Sequence, residues 1–214
     1  MEEYFDVLDE KGNFTNTVET RKKCHAEGLW HKAVVVFIIN SKNQVLLQKR
    51  SKNKRMWPDM WDITAGGHVD AGEFGFQSVL RESEEELGIK LKKEDLTFIG
   101  SSLSTNIKGD IVNKHFNEYY IATKEIDETK LHLQKEEVSE VKWIDKDEII
   151  KKIKNNYEGI TDKEGCWEYL IKYYEWKEKQ KWKKKSRQQC WRLLLWVQSL
   201  HKGVKQIQYN KCCF

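Results

Sequence analysis

The chain has 214 residues, of which 39% are hydrophobic and 34% charged. That mixture is too polar for a membrane protein and too apolar for a disordered one, and the length suits one well-buried domain with appendages. No apolar run approaches the ~20 residues that span a bilayer, and the opening MEEYFDVLDEKG lacks the basic and apolar regions of a signal peptide, so a cytoplasmic location is expected. The formal charge of +4 is uneven: eight of the 38 basic residues lie after Lys181, where there is no Asp or Glu, so residues 1–181 hold 30 basic against 34 acidic residues. A mildly acidic body does not offer the basic surface that a nucleic-acid polymer requires. Cys24, Cys166, Cys190, Cys212 and Cys213 form no CxxC pair and are odd in number, which speaks for reduced thiols rather than a zinc ribbon or a secreted disulfide framework.

Residues 4–8 (YFDVL) read as a short strand entering a turn at Gly12 and Asn13, whereas residues 14–29 show no usable period. Residues 33–40 (AVVVFIIN) form a β-branched run typical of a buried central strand, followed by a turn at Ser41–Asn43 and a return arm at Val45–Gln48. A basic loop over residues 49–60 holds the only proline, Pro58. Apolar or small residues at 76, 79, 80, 83 and 87 predict a helix over 75–87. Strands are predicted at 97–103, 115–123 and 138–144, then a helix from about 145, with Asp145 and Glu148 spaced as a capping box allows. Near-helical spacing continues over 162–182, and an amphipathic helix is predicted over 187–207. This order predicts an α/β (α+β) layered domain over residues 1–157, a helical extension packing on it over 158–182, and a basic tail over 183–214. For the tail, whose Leu193–Val197 run is flanked by basic residues, docking on the domain, a dimer contact and a membrane or partner surface all stay open; Cys212 and Cys213 do not fit a prenylation signal.

The informative segment is residues 66–89, GGHVDAGEFGFQSVLRESEEELGI. On a helix over 75–87, Glu82, Glu85 and Glu86 share a face, and like charges at these spacings repel unless something neutralises them. A hard divalent cation suits them, magnesium above all, since it takes oxygen ligands and keeps room for phosphate oxygens. Gly66, Gly67, Gly72 and Gly75 permit a tight loop into a helix N-terminus, whose free N–H groups favour anions.

Gly67, Glu73, Arg81-Glu82, Glu85-Glu86, Gly88 and Ile89, at these spacings, resemble the signature box of the Nudix hydrolases, with Ser83 where the family usually has an aliphatic residue. The resemblance implies a Nudix-type α/β/α sandwich with a mixed sheet, to which the C-terminal helices are an extension. It also implies Mg2+, with Mn2+ as substitute, held by Glu82, Glu85 and Glu86, which the Gly66 or Gly67 carbonyl and Glu118 would join. Arg81 and Glu73 would hold loop and helix in register, and Glu85, or another box carboxylate or Glu118, would serve as base while water attacks phosphorus. The implied partner is a small phosphorylated substrate such as a nucleoside di- or triphosphate or a nucleoside diphosphate derivative. No nucleic-acid polymer, no membrane span and no particular oligomer is indicated.

His25, His31, residues 54–58, Gly67-His68 and Glu118 also resemble isopentenyl-diphosphate isomerases, a branch of the same superfamily. That resemblance implies a metal held by three histidines and two glutamates of a later strand, but His25 stands one residue too near His31, and Phe116 replaces one glutamate. Gly66 stands where the isomerase has its catalytic cysteine. Hydrolysis is therefore the preferred reading, with isomerisation and non-catalytic nucleotide binding as alternatives. The three histidines either ligate a second metal or are partly buried polar residues bonded to carbonyls. Arg50 and Arg55 either clamp substrate phosphates or lie in a solvated loop, and His68 is a further candidate for substrate contact. Trp57 and Trp61 either stack on a base or plug the core, and His115, Tyr119 and Tyr120 are read as packing or pocket lining.

Overall fold

The computed structural model describes residues 2–109, 111–155, 157–161 and 165–200. Its centre is strand β3 (Trp30–Ile39), whose stretch from Ala33 onward is buried on both faces. Along one edge β3 runs parallel to β8 (Ile111–Thr123), in register from Trp30 opposite Lys114 to Ile39 opposite Thr123. Its other edge is shared in turn by β1 (Tyr4–Leu8) at Trp30, β6 (Ala65–His68) at residues 33–36 and β4 (Gln44–Arg50) at Ile38 and Ile39. The mixed sheet is completed by β2 (Phe14–Thr20) on β1, β5 (Trp61–Asp62) and β9 (Val138–Asp145) on β4, and β7 (Leu96–Lys108) on β8. The turn between β3 and β4 is made by Asn40, whose Oδ1 accepts from Lys42 N and Gln44 N, and by Asn43 at φ 62°, a conformation that asparagine tolerates.

Helix α2 (Gly75–Leu87) lays Val79 and Leu87 on the sheet face formed by Val34, Val36, Ile38, Ala65, Tyr120 and Ala122. The opposite face carries Phe37, which meets Trp167 of α4 (Cys166–Leu200) with ring centroids 5.6 Å apart. Helix α3 (Lys146–Lys154) is capped by Asp145, whose carboxylate accepts from Asp147 N.

Two elements had no signal in the chain's periodicity. Strand β2 pairs only with β1 and is mostly exposed, and α1 (Arg21–Glu27) buries Cys24 alone, so neither needs an apolar repeat. The caps of α1 are nevertheless ordinary: Thr20 accepts from Lys23 N, and Gly28 follows at φ 63°. Strands β7 and β8 overrun their predicted limits because the ladder from Ser104 opposite His115 to Lys108 opposite Ile111 mixes polar residues with Ile107, Ile111 and Val112 and shows no regular alternation of hydrophobicity. The two predicted C-terminal helices are one, since no glycine or proline occurs between Cys166 and Leu200; residues 162–164 and 201–214, on which parts of those predictions fall, lie outside the described residues. The chain divides into two compact units that part between Ile171 and Lys172. Trp167 and Leu170 are the reason: both are buried in the first unit, and Trp167 donates its indole N–H to Thr161 O at 2.7 Å. No helix among the described residues is long and apolar enough to cross a membrane.

Asp62 is fully buried and accepts from Arg50 Nη1, Thr161 Oγ1 and Ile63 N at 2.9, 2.9 and 2.8 Å. Asp62→Ala leaves the Arg50 guanidinium without its countercharge, and denaturant unfolding is expected to show a loss of about 3–5 kcal/mol. Pairing Arg50→Met with Asp62→Leu is expected to recover part of that loss.

Candidate active site

The loop between β6 and α2 is fixed from both sides. Ala71 N donates to Tyr4 O and Gly72 N to Asp6 Oδ2, at 2.8 and 2.9 Å, while Gly72 adopts φ 81°. The helix then begins with Phe74 N bonded to Gln77 Oε1 and ends at Gly88, φ 70°, whose N–H meets Glu84 O. Ser83 is fully buried, and its hydroxyl donates to Val79 O at 2.7 Å, which satisfies the one polar group at that helix position.

Arg81 is the hub of the loop and helix. Its Nη2 meets His68 O at 3.0 Å, Glu73 Oε2 at 3.2 Å and Asp70 Oδ2 at 3.6 Å; its Nη1 meets Glu82 Oε1 at 2.8 Å and Glu85 Oε2 at 3.4 Å. Glu73 also accepts from Ser78 Oγ at 2.6 Å. Four carboxylates thus share one cation. Glu82 lies against Gly67, where any side chain would collide with its carboxylate, and burial pushes its carboxyl up to about 7. Glu86, 7% exposed, is approached by Gln48 Nε2 at 3.2 Å and Gly66 N at 3.4 Å. Glu85 points outward, with 56% of its side chain exposed. Clustered oxygen donors carrying more negative charge than one guanidinium offsets are a fit for a hard divalent cation.

Glu118 departs from the expectation that it joins the histidines. Strand alternation turns it with Tyr120 toward α2, where it lies against Gly75, accepts from Tyr120 OH at 2.6 Å and pairs with Lys32 at 3.4 Å. Arg50 departs as well: its Nε donates to Met56 O at 3.0 Å and its Nη1 to Asp62, so the fork that was expected to meet phosphate ties down the basic loop. Arg55 is exposed in that loop.

On the sheet face away from α2 lies a cleft of about 160 Å³. Met56, Trp57 and Ile63 line it, together with Ser104 and Asn106 of β7 and Asn113 and Asn117 of β8. Cleft and carboxylates meet at Gly66 and Gly67, which line the cleft and touch Glu86 and Glu82. His68 and His115 line the cleft too and form a cluster with His25 and His31, with all four ligand nitrogens within 4.8 Å of one another. Burial lowers the pKa of His25 to about 4 and lowers those of His31 and His68, which keeps these rings neutral at pH 7. Sequence reasoning had not placed His115 in this cluster or Asn113 and Asn117 on a cleft wall; the signal was their shared parity with Tyr119 on β8.

A NUDIX domain profile matches residues 29–163. The chain is 40% identical over 148 residues to Nudix hydrolase 3 of Arabidopsis thaliana, a match that covers 67% of this chain and 19% of that protein. An uncharacterised Nudix hydrolase of Listeria monocytogenes is 36% identical over 149 residues, covering 70% of this chain and 83% of the relative. The crystal structure of DR0079 from Deinococcus radiodurans superposes with a TM-score of 0.56 at 19% identity, over 72% of this chain and 90% of that one, a likeness of fold. The chain belongs to the Nudix family, hydrolases of phosphoanhydrides that generally need a divalent cation.

Proposed function

We propose that the chain hydrolyses a diphosphate linkage in a small phosphorylated substrate, a nucleoside di- or triphosphate or a nucleoside diphosphate derivative, with Mg2+ as cofactor. The observation that carries this reading is the crowding of Asp70, Glu73, Glu82 and Glu85 on the single guanidinium of Arg81, with Glu82 buried beneath Gly67. Glu82, Glu85 and Glu86 would hold the cation, with the Gly67 carbonyl beside them. When bound, the cation neutralises charge on the bridging oxygens and lowers the pKa of the attacking water.

The chain's own residues do the rest. Glu85, the most exposed of the three, accepts the proton of the water that attacks phosphorus. Arg81 holds the carboxylates in place through Glu73 and the His68 carbonyl, and Gly66 and Gly67 leave the substrate's diphosphate a path to the helix. Isomerisation is disfavoured by packing: a side chain at Gly66 would strike Val34 O and Ile63, so the cysteine of the isomerases has no room there.

The four imidazoles are a second candidate cation site. His31 donates from Nδ1 to Leu29 O at 2.8 Å, which leaves Nε2 as its electron-pair donor, and the Nε2 atoms of His25 and His31 are buried without a hydrogen-bond partner. Neutral nitrogen donors suit zinc or a neighbouring transition metal rather than magnesium.

Three outcomes are expected. With magnesium and a panel of nucleotides, sugar nucleotides and prenyl diphosphates, products identified by mass show hydrolysis, and Glu85→Gln lowers kcat at least about a hundredfold; normal turnover in that variant sinks the reading. In chelator, the raised Glu82 pKa destabilises the fold as pH climbs from the ordinary 4.5 to about 7, because the unfolded chain ionises first, and the loss levels off above that. Glu82→Gln removes a penalty on the order of 3 kcal/mol, so its melting temperature exceeds wild type at pH 8 and matches it at pH 4. In equilibrium dialysis, zinc binding is lost in His31→Ala and retained in Glu82→Gln; wild-type zinc content in His31→Ala rules the imidazole site out.

A further inference from the structure

We propose that Gln48 is a positioning residue for the cation site: from β4, its side-chain amide holds the Glu86 carboxylate in the orientation that binds the cation. The proposal rests on the reading of Glu82, Glu85 and Glu86 as the cation's ligands and adds a residue that lies outside the acidic helix.

Alternation along β4 puts Gln48 on the same face as Leu46, which belongs to the core beneath α2. Directly opposite Gln48 on β9 stands Val141, which packs against that core. An apolar side chain at position 48 would extend the core and leave no polar atom to satisfy. The residue there is instead a glutamine, 3% exposed. Its Nε2 donates to Glu86 Oε2 at 3.2 Å, the same oxygen that Gly66 N approaches at 3.4 Å. One carboxylate is thus set from two strands, by a side chain of β4 and by the main chain of β6.

The other end of the same amide has no such use within the fold. Gln48 Oε1 is buried with no hydrogen-bond partner. Turning the amide over would not help, because it would set Oε1 against the carboxylate, acceptor against acceptor. A buried acceptor in that condition destabilises the folded chain and calls for a reason. Packing supplies none, since methionine or leucine would fill the volume without an orphan atom. The reason is the carboxylate: a metal ligand gains from a donor that fixes its rotamer, and such outer partners govern affinity although they never touch the ion. Magnesium also keeps part of its water shell, and a water held beside Glu86 is the donor that Oε1 lacks. The two ends of one amide then serve the ligand and the hydration shell together.

Mn2+ binding to the full chain without substrate, read by electron paramagnetic resonance of the free aqueous ion, tests this. Only the Mn2+ that excess Mg2+ displaces is counted, which sets aside the imidazoles, since nitrogen donors favour transition metals over magnesium. Gln48→Met is expected to weaken this binding about tenfold or more, and Gln48→Leu to do the same. In chelator, both variants are expected to melt no lower than wild type, because the orphan acceptor is gone. A merely structural role predicts the reverse pattern, a lower melting temperature with Mn2+ affinity unchanged. Affinity within about twofold of wild type in either variant overturns the assignment, and Gln48→Leu keeps the test decisive if Gln48→Met fails to fold. Glu86→Gln separates this inference from the reading beneath it. If Glu86→Gln loses Mn2+ and Gln48→Met keeps it, the role of Gln48 falls and the carboxylate site stands. If Gln48→Met loses Mn2+ and Glu86→Gln keeps it, Gln48 does not act through Glu86 and the positioning role falls. A wild-type chain that takes up no Mn2+ displaceable by Mg2+ overturns both.

Discussion

The guanidinium of Arg81 reaches the His68 carbonyl at the end of β6, Asp70 and Glu73 in the loop, and Glu82 and Glu85 on α2. Strand, loop and helix are therefore set in position by one side chain with a fixed fork geometry, which a lysine would not reproduce. Because more carboxylates converge than one cation offsets, the arrangement is electrostatically incomplete, and burial makes ionisation of Glu82 costly, pushing its carboxyl up to about 7. Incompleteness of this sort suits the divalent cation that Nudix hydrolases generally need.

A second constraint is the absence of side chains where sheet and helix approach. A Cβ at Gly66 would strike Val34 O, one at Gly67 the Glu82 carboxylate and one at Gly75 the Glu118 carboxylate. The first two also open the cleft to the carboxylates behind them. Packing and access to the site thus impose the same residue choice, and at Gly66 that choice removes the position on which isomerase chemistry would depend.

The sheet itself separates two chemical environments. On β8, Glu118 and Tyr120 face α2, whereas Asn113, His115, Asn117 and Tyr119 face the cleft. Anionic chemistry lies at the helix, and neutral amides and imidazoles lie across the sheet from it, with Gly66 and Gly67 as the place where the two environments touch. Arg50 shows how a residue suited to phosphate can be drawn into structure, since it pairs with the fully buried Asp62.

The helix at 75–87, the buried strand at Ala33–Ile39 and the carboxylate set were legible in the chain because each rests on local spacing: 3.6-residue periodicity, a β-branched run and fixed intervals between acidic residues. Exposed β2, the seven-residue α1 and the hairpin ends of β7 and β8 were not, because they carry no apolar repeat of their own, and β2 and those strand ends are held by backbone pairing with their neighbours in the chain. Only the tertiary structure could bring His115 to His25, His31 and His68, turn Glu118 the other way and bury Asp62 beside Arg50. Which face of the sheet a strand residue occupies is decided by register with strands far away in the chain, and a one-residue difference in register exchanges the two faces.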